Sequence, residues 1–171
     1  MNRLTRILIE LALEEDLRDR GDLTSRYFVD ADCRTKACVV AREFAVVSGH
    51  EVAEAVCAAV SPELEYGIEI SDGGAAGPGE TVSTLSGPTR SVLTAERTAL
   101  NFLQRLSGVA TTTRAFADRI EHTDCRLLDT RKTTPGMREL EKAAVRHGGG
   151  VNHRNGLHDA VLHGLDLRRG G

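Results

Sequence analysis

The sequence predicts an α/β protein: an N-terminal α+β unit followed by the first part of an α/β layer or barrel. Three observations carry this. Up to about Gly108, strands and helices do not alternate regularly, which marks an α+β unit. From Arg126 the texture changes to strand, loop, helix, loop, the unit from which α/β layers and barrels are built. The chain has 171 residues, whereas a closed (β/α)8 barrel needs about 250, so such a barrel can be begun here but not completed.

The elements follow in order. Leu4, Ile7, Leu8 and Leu11 recur at i, i+3, i+4, i+7 and predict a first helix with one buried face, ending at the turn cluster Asp19-Arg20-Gly21-Asp22. Ala37, Val39 and Ala41 alternate with polar neighbours and predict a strand ending near Arg42-Glu43. Val46 to Gly49 reads as a short strand or turn, His50–Val60 as a helix and Leu64–Ile70 as a strand. Gly73, Gly74, Gly77, Pro78 and Gly79 predict a loop without regular structure. Thr81–Leu85 is a further strand, stopped by Gly87-Pro88. A helical face runs through Leu93, Leu100, Leu103 and Leu106, Ser107-Gly108 interrupts it, and Val109–Ile120 resumes it. Arg126–Asp129 is then a short strand, Thr130–Pro135 a loop and Gly136–His147 a helix. The triple glycine Gly148–Gly150 after it is expected to make a turn with unusual dihedrals.

Composition narrows the function. A net charge of -3 argues against a nucleic-acid protein. No run of apolar residues is long enough to span a membrane, and the charged helix at the start does not read as a signal peptide. Cys33, Cys38, Cys57 and Cys125 contain no CxxC pair. They predict reduced thiols in the cytoplasm, with Cys57 as core filler. His50, His122, His147, His158 and His163 have no metal-ligand spacing, and the glycine run fits neither a Rossmann fingerprint nor a P-loop.

Charge is distributed unevenly. Thr130–Arg154 holds six basic and two acidic residues, a net +4 that leaves -7 for the rest of the chain. Arg138, Lys142 and Arg146, at i, i+4 spacing, read as a solvated helix face. Arg131-Lys132 follows a strand end and His153-Arg154 follows the glycines, with no carboxylate at helical spacing beside either pair. Loops at strand C-termini are where α/β folds build sites. These four side chains are either an anion site or two unrelated surface pairs. Asp129 is a third possibility, as a carboxylate that pairs with one of them.

Four segments, in order, give the chain a family resemblance. ALEEDLRDRGDLTS (12–25), AREFAVVSGHE (41–51), LTAERTALNFLQRLSGVAT (93–111) and DTRKTTPGMRELEKAAVRHGGGVNHRNGLHDAVL (129–162) resemble the quinolinate phosphoribosyltransferases, also called nicotinate-nucleotide pyrophosphorylases (carboxylating). The resemblance implies an N-terminal α/β sandwich domain, residues 1–108, and the start of an open α/β barrel, residues 109–171. It implies transfer of a phosphoribosyl group to quinolinate with loss of pyrophosphate and CO2, giving nicotinate mononucleotide for NAD biosynthesis. It also implies a homodimer or an assembly of dimers in the cytoplasm, with no nucleic-acid or membrane partner. Mg2+ is expected to arrive on the diphosphate of 5-phosphoribosyl 1-diphosphate, with no dedicated protein metal site.

By the same resemblance, Arg131, Lys132, His153 and Arg154 line the quinolinate pocket, and Arg131 and Lys132 are the expected catalytic pair. Thr130 contacts the substrate beside them, and Arg97 reaches into a partner subunit's site. The physics agrees: gathering two polyanions in one place requires cations set beforehand. Agreement stops after about Leu162, where Gly164 stands at the position of a further family lysine. The chain therefore reads as shortened, carrying the quinolinate half of the site. The alternatives are a non-catalytic remnant that still dimerises or binds anions, and a nicotinate-using relative. A barrel begun but not completed also predicts that Leu127, Leu128, Val145, Val161 and Leu162 are unusually exposed for their type or covered by a partner chain.

Overall fold

The computed structural model describes residues 1–160. In chain order the elements are α1 (Arg3–Leu17), α2 (Leu23–Phe28), β1 (Arg34–Val40), β2 (Ala45–Val46), α3 (His50–Val60), β3 (Glu65–Ile68), β4 (Ala75–Ala76), β5 (Thr81–Pro88), α4 (Thr89–Ile120) and α5 (Arg138–His147). An antiparallel sheet in the order β1-β5-β3 and a two-stranded β2-β4 pair form the β layer. Against them pack α3 and α4, and α4 also contacts α1, α2 and α5.

The helix ends follow local chemistry. Asn2 caps α1 by accepting from the Thr5 amide at 2.8 Å. The six-residue α2, which periodicity does not reveal because it is too short, is started by Asp22, whose carboxylate accepts from the Ser25 amide at 3.0 Å. It is tied to α4 by Arg90, whose guanidinium donates to the Val29 carbonyl at 2.7 and 2.9 Å.

Three expectations about helices and loops change. The first helix forms, but its buried face is Thr5 and Ile9, with Leu8, Ala12 and Leu13 packed beside them. Leu4, Ile7 and Leu11 are exposed. The segment is apolar on more than one side, so spacing alone cannot choose the side that α3 and α4 cover. Second, α4 runs without a break through Ser107-Gly108. Ser107 accepts from the Ser48 amide at 3.0 Å, so it fastens the helix to the β layer. The continuous stripe Val92, Ala95, Ala99, Phe102, Leu103, Leu106 and Ala110 is buried, which outweighs the low helix propensity of Gly108. Third, the glycine-rich segment is not wholly irregular, since Ala75–Ala76 pairs with Ala45–Val46.

Two β-rich expectations are also refined. β1 forms as an edge strand with a bulge between Val39 and Val40, but it is largely exposed and only Val39 is half-buried. Of the triple glycine, only Gly149 has positive φ, at +90°. Gly148 and Gly150 are there for closeness: an added Cβ would lie 2.5 Å from Thr113 Cβ in the first and 2.6 Å from Val145 Cγ1 in the second. Leu128 is 54% exposed and Leu127 and Val145 are half-buried, whereas Val161 and Leu162 lie outside the described residues.

Candidate active site

The strand expected at Arg126–Asp129 is reduced to an isolated parallel bridge, Leu128 to Val151. The Val151 amide donates to the Leu127 carbonyl at 2.8 Å, and the Asp129 amide to the Val151 carbonyl at 3.1 Å. Among the described residues the bridge has no further strand beside it. Because it is parallel, the chain leaves both segments in the same direction. Asp-Thr-Arg-Lys and Asn-His-Arg therefore start from adjacent ends, so the segments that carry Arg131, Lys132, His153 and Arg154 leave the bridge side by side.

A buried ion pair fixes this junction. Lys142 on α5 is 2% exposed, and its ammonium donates to Asp129 Oδ1 at 2.6 Å and to the His153 carbonyl at 2.8 Å. Asp129 also accepts from the His153 amide at 2.7 Å and from Asn152 Nδ2 at 2.6 Å. Asn152 Nδ2 also donates to the Lys142 carbonyl at 2.9 Å. The expectation of a solvated Arg138-Lys142-Arg146 face is therefore wrong at Lys142, which points inward because Asp129 and a free carbonyl meet it there. Arg138 is half-buried and bridges the two loops, donating to Thr133 Oγ1 at 3.2 Å and to the Asn155 carbonyl at 3.1 Å. Arg146 is exposed and donates to Asn152 Oδ1. Asp129 does find a cation, but it is Lys142 and not one of the four loop residues.

The other end of the cation loop is held by the residue before Lys142. Glu141, 7% exposed, accepts from the Thr134 amide at 3.1 Å and from its hydroxyl at 2.7 Å. Arg105 on α4 donates to Glu141 at 2.7 Å and to Thr134 Oγ1 at 2.9 Å. Burial alone would raise the Glu141 carboxyl, but the hydrogen bonds from Thr134 and Arg105 outweigh it and hold the carboxyl below its ordinary value.

The expected residues sit as follows. Thr130 is exposed, and its hydroxyl accepts from the Lys132 amide at 3.3 Å. Lys132 is exposed; Arg131 is half-buried, with its Nε shielded from solvent and without a hydrogen-bond partner among the described residues. His153 presents an exposed ring on a backbone held at both N–H and C=O. Arg154 is half-buried and donates to the Ala160 carbonyl at 3.2 Å. Arg97 is exposed on α4, eight residues before Arg105 and thus about 12 Å along the axis from it. Among the described residues it takes no part in the hydrogen bonds around the two loops. With Lys142 and Arg105 neutralised by buried carboxylates, Arg131, Lys132 and Arg154 form no ion pair among the described residues.

Among the described residues no three His, Cys, Asp or Glu side chains converge, and Asp129 and Glu141 are already engaged by protein donors.

The comparisons identify the family. The model for "Quinolinate phosphoribosyl transferase, N-terminal domain" matches residues 22–107, about half of the chain, and the model for the C-terminal domain matches 109–164. The chain belongs to the quinolinate phosphoribosyl transferase family. It is 42% identical over 155 residues to a quinolinate phosphoribosyltransferase [decarboxylating] of Nicotiana tabacum, covering 91% of this chain and 44% of that one. It is also 42% identical over 156 residues to a nicotinate-nucleotide pyrophosphorylase [carboxylating] of Mycobacterium leprae, covering 90% and 55%. Its fold superposes on the nicotinate-nucleotide pyrophosphorylase of Francisella tularensis with TM-score 0.88 at 39% identity, covering 94% of this chain and 57% of that one. The chain thus spans about half the length of the curated relatives it matches. The fold class is α/β.

In this quinolinate phosphoribosyl transferase chain, Arg97 lies within the N-terminal match and the five loop residues within the C-terminal one. Reading the sequence missed the supports: Arg105, Glu141, Lys142 and Asn152. The one available signal was the +4 surplus of Thr130–Arg154, which made Asp129, just outside it, a carboxylate looking for a partner.

Proposed function

We propose that the described residues supply the dicarboxylate-recognition part of a site that transfers a phosphoribosyl group to quinolinate and decarboxylates the product. The observation that supports this is the parallel Leu128–Val151 bridge, from which the segments bearing Arg131-Lys132 and His153-Arg154 leave side by side in a chain of this family. Quinolinate is a dianion. Arg offers a planar fork to a carboxylate and Lys a compact charge, so two carboxylates match the two cation-bearing loops. In this reading Arg131 and Lys132 are the catalytic pair, with Thr130, His153 and Arg154 completing the pocket.

The reaction then balances without a strong base. The pyridine nitrogen forms a bond to the anomeric carbon of 5-phosphoribosyl 1-diphosphate as the bond to the diphosphate oxygen breaks and pyrophosphate leaves. The alkylated ring nitrogen is cationic. It accepts the electron pair left on the adjacent ring carbon when CO2 departs, and that carbon then takes a proton to give nicotinate mononucleotide. The protein's part is to hold the nitrogen against the sugar and to neutralise the carboxylates. Mg2+ belongs to the diphosphate in this reading and not to protein ligands. The proposal also includes a homodimer in which Arg97 serves the neighbouring subunit's site, supported by its exposed position on α4. It includes a cytoplasmic setting, supported by four free cysteines. Among the described residues no helix is long and apolar enough to cross a membrane.

Calorimetric titration with quinolinate tests the reading. The chain should bind quinolinate, and Arg131→Ala or Arg154→Ala should weaken it about tenfold or more, the loss expected for one charged hydrogen-bonded contact. Absence of binding, or binding unchanged in both variants, would refute it. Assay of nicotinate mononucleotide with 5-phosphoribosyl 1-diphosphate and Mg2+ tests turnover, and nicotinate in place of quinolinate tests the nicotinate-using alternative.

A further inference from the structure

We infer that Glu141 and Lys142 are positioning residues: neighbours in sequence on α5, they pin the two ends of the Asp129–Thr134 loop and so set its cations at a fixed distance from His153 and Arg154. The inference rests on the dicarboxylate reading above and specifies what tunes the site to two carboxylates. Lys142 holds Asp129 at the start of the loop, and Glu141 holds Thr134 at its end. The same ammonium donates to the His153 carbonyl, and Asp129 accepts from the His153 amide. Both cation-bearing segments are therefore referred to one buried point. Neither Glu141 nor Lys142 is exposed enough to meet a ligand, at 7% and 2%, so any effect they have on binding passes through the loops.

A buried Lys–Asp pair is weak evidence for stability in itself, since apolar replacements of similar shape are often neutral. Here it does something an apolar pair could not. It ties two backbone segments through directional hydrogen bonds and, among the described residues, takes no cation of the loops into an ion pair. A ligand with two carboxylates needs both segments at the correct separation, whereas a ligand with one carboxylate needs only one of them. Loss of the tie should therefore lower affinity for quinolinate more than for nicotinate.

The experiment compares wild type, Lys142→Met and the charge-free double variant Asp129→Asn/Lys142→Met. For each, thermal melting, amide hydrogen exchange of segments 129–135 and 151–155, and titration with quinolinate and nicotinate are measured. Lys142→Met should lower the melting temperature, and the double variant should recover part of it because no unpaired charge stays buried. Both should exchange faster in the two segments and bind quinolinate about tenfold more weakly, in line with the cost of small misplacements of binding groups, with a smaller change for nicotinate. If the double variant regains wild-type exchange and quinolinate affinity together with stability, the pair is merely structural and the inference is overturned. Wild type that binds no quinolinate, with loops that still loosen in the variants, refutes the ligand reading and upholds the positioning. Quinolinate binding with loops unchanged in both variants does the reverse.

Discussion

Lys142 Nζ lies 2.6 Å from Asp129 Oδ1, with 2% and 5% of the two side chains exposed. Removing one partner leaves the other charge buried and unpaired, which typically costs about 3–5 kcal/mol. Lys142→Ala and Asp129→Ala should each destabilise the protein by roughly that amount. The double variant should lose clearly less than the sum of the two. Denaturant unfolding of all four proteins checks this, and additive losses would count against a direct pair.

Glycine has opposite meanings at two positions along the α4–α5 contact. Gly108 sits in the interior of α4 with open space where a Cβ would go. Gly108→Ala should stabilise the protein by about 0.5–1 kcal/mol. Gly148 follows α5, and a Cβ there would run into the Ala110 carbonyl and lie 2.5 Å from Thr113 Cβ. Gly148→Ala should destabilise by about 1–3 kcal/mol through overpacking. Equal effects at the two sites, read from melting curves, would contradict the close approach of α4 and the α5 end.

Acid should loosen the cation loop through Glu141. Its folded-state value lies below the ordinary 4.5, because hydrogen bonds from Thr134 and Arg105 overcome the opposing effect of burial. A lowered carboxyl contributes stability that is present above the unfolded value and is lost as pH falls through the folded one. Wild-type stability should therefore decline below pH 4.5, and Glu141→Gln should be less stable at neutral pH with a flatter acid limb. Unfolding midpoints measured from pH 3 to 7 decide it; parallel curves would mean that the clamp does not form.

Alkali acts through Tyr66, whose hydroxyl lies 2.9 Å from His50 Nδ1 and which burial pushes up to about 12 from an ordinary 10. A raised value contributes stability that is complete below the unfolded value and is lost as pH rises through the folded one. Stability should fall from pH 10 upward, and Tyr66→Phe should remove part of that slope. Absorbance titration of the phenol, compared in folded and denatured protein, checks the direction.

Thiol chemistry gives a test of the core. Cys57 is 1% exposed and burial pushes its thiol up to about 11, whereas Cys33, Cys38 and Cys125 are exposed. A disulfide reagent at neutral pH should label those three quickly in the native protein and Cys57 only on unfolding. Rapid labelling of Cys57 under native conditions would show that α3 is not packed as described.

The sequence by itself determined the fold class, the family blocks and most elements, because periodicity and turn chemistry are local. It also set the cation-bearing motifs, since the residue types that suit a dicarboxylate can be read one at a time. It could not choose the buried side of α1, because Ile9 and Leu4 are equally apolar and only the placement of α3 and α4 distinguishes them. Nor could it tell that Gly108 continues a helix, since a long buried stripe outweighs a local propensity of about 1 kcal/mol. The largest difference is Lys142. In sequence it is one more charge on a helix; in the structure it is buried because Asp129, thirteen positions earlier, is brought against it by the bridge between Leu128 and Val151. Ion pairing across such a separation depends on which chain segments meet in space, and that is decided by tertiary packing.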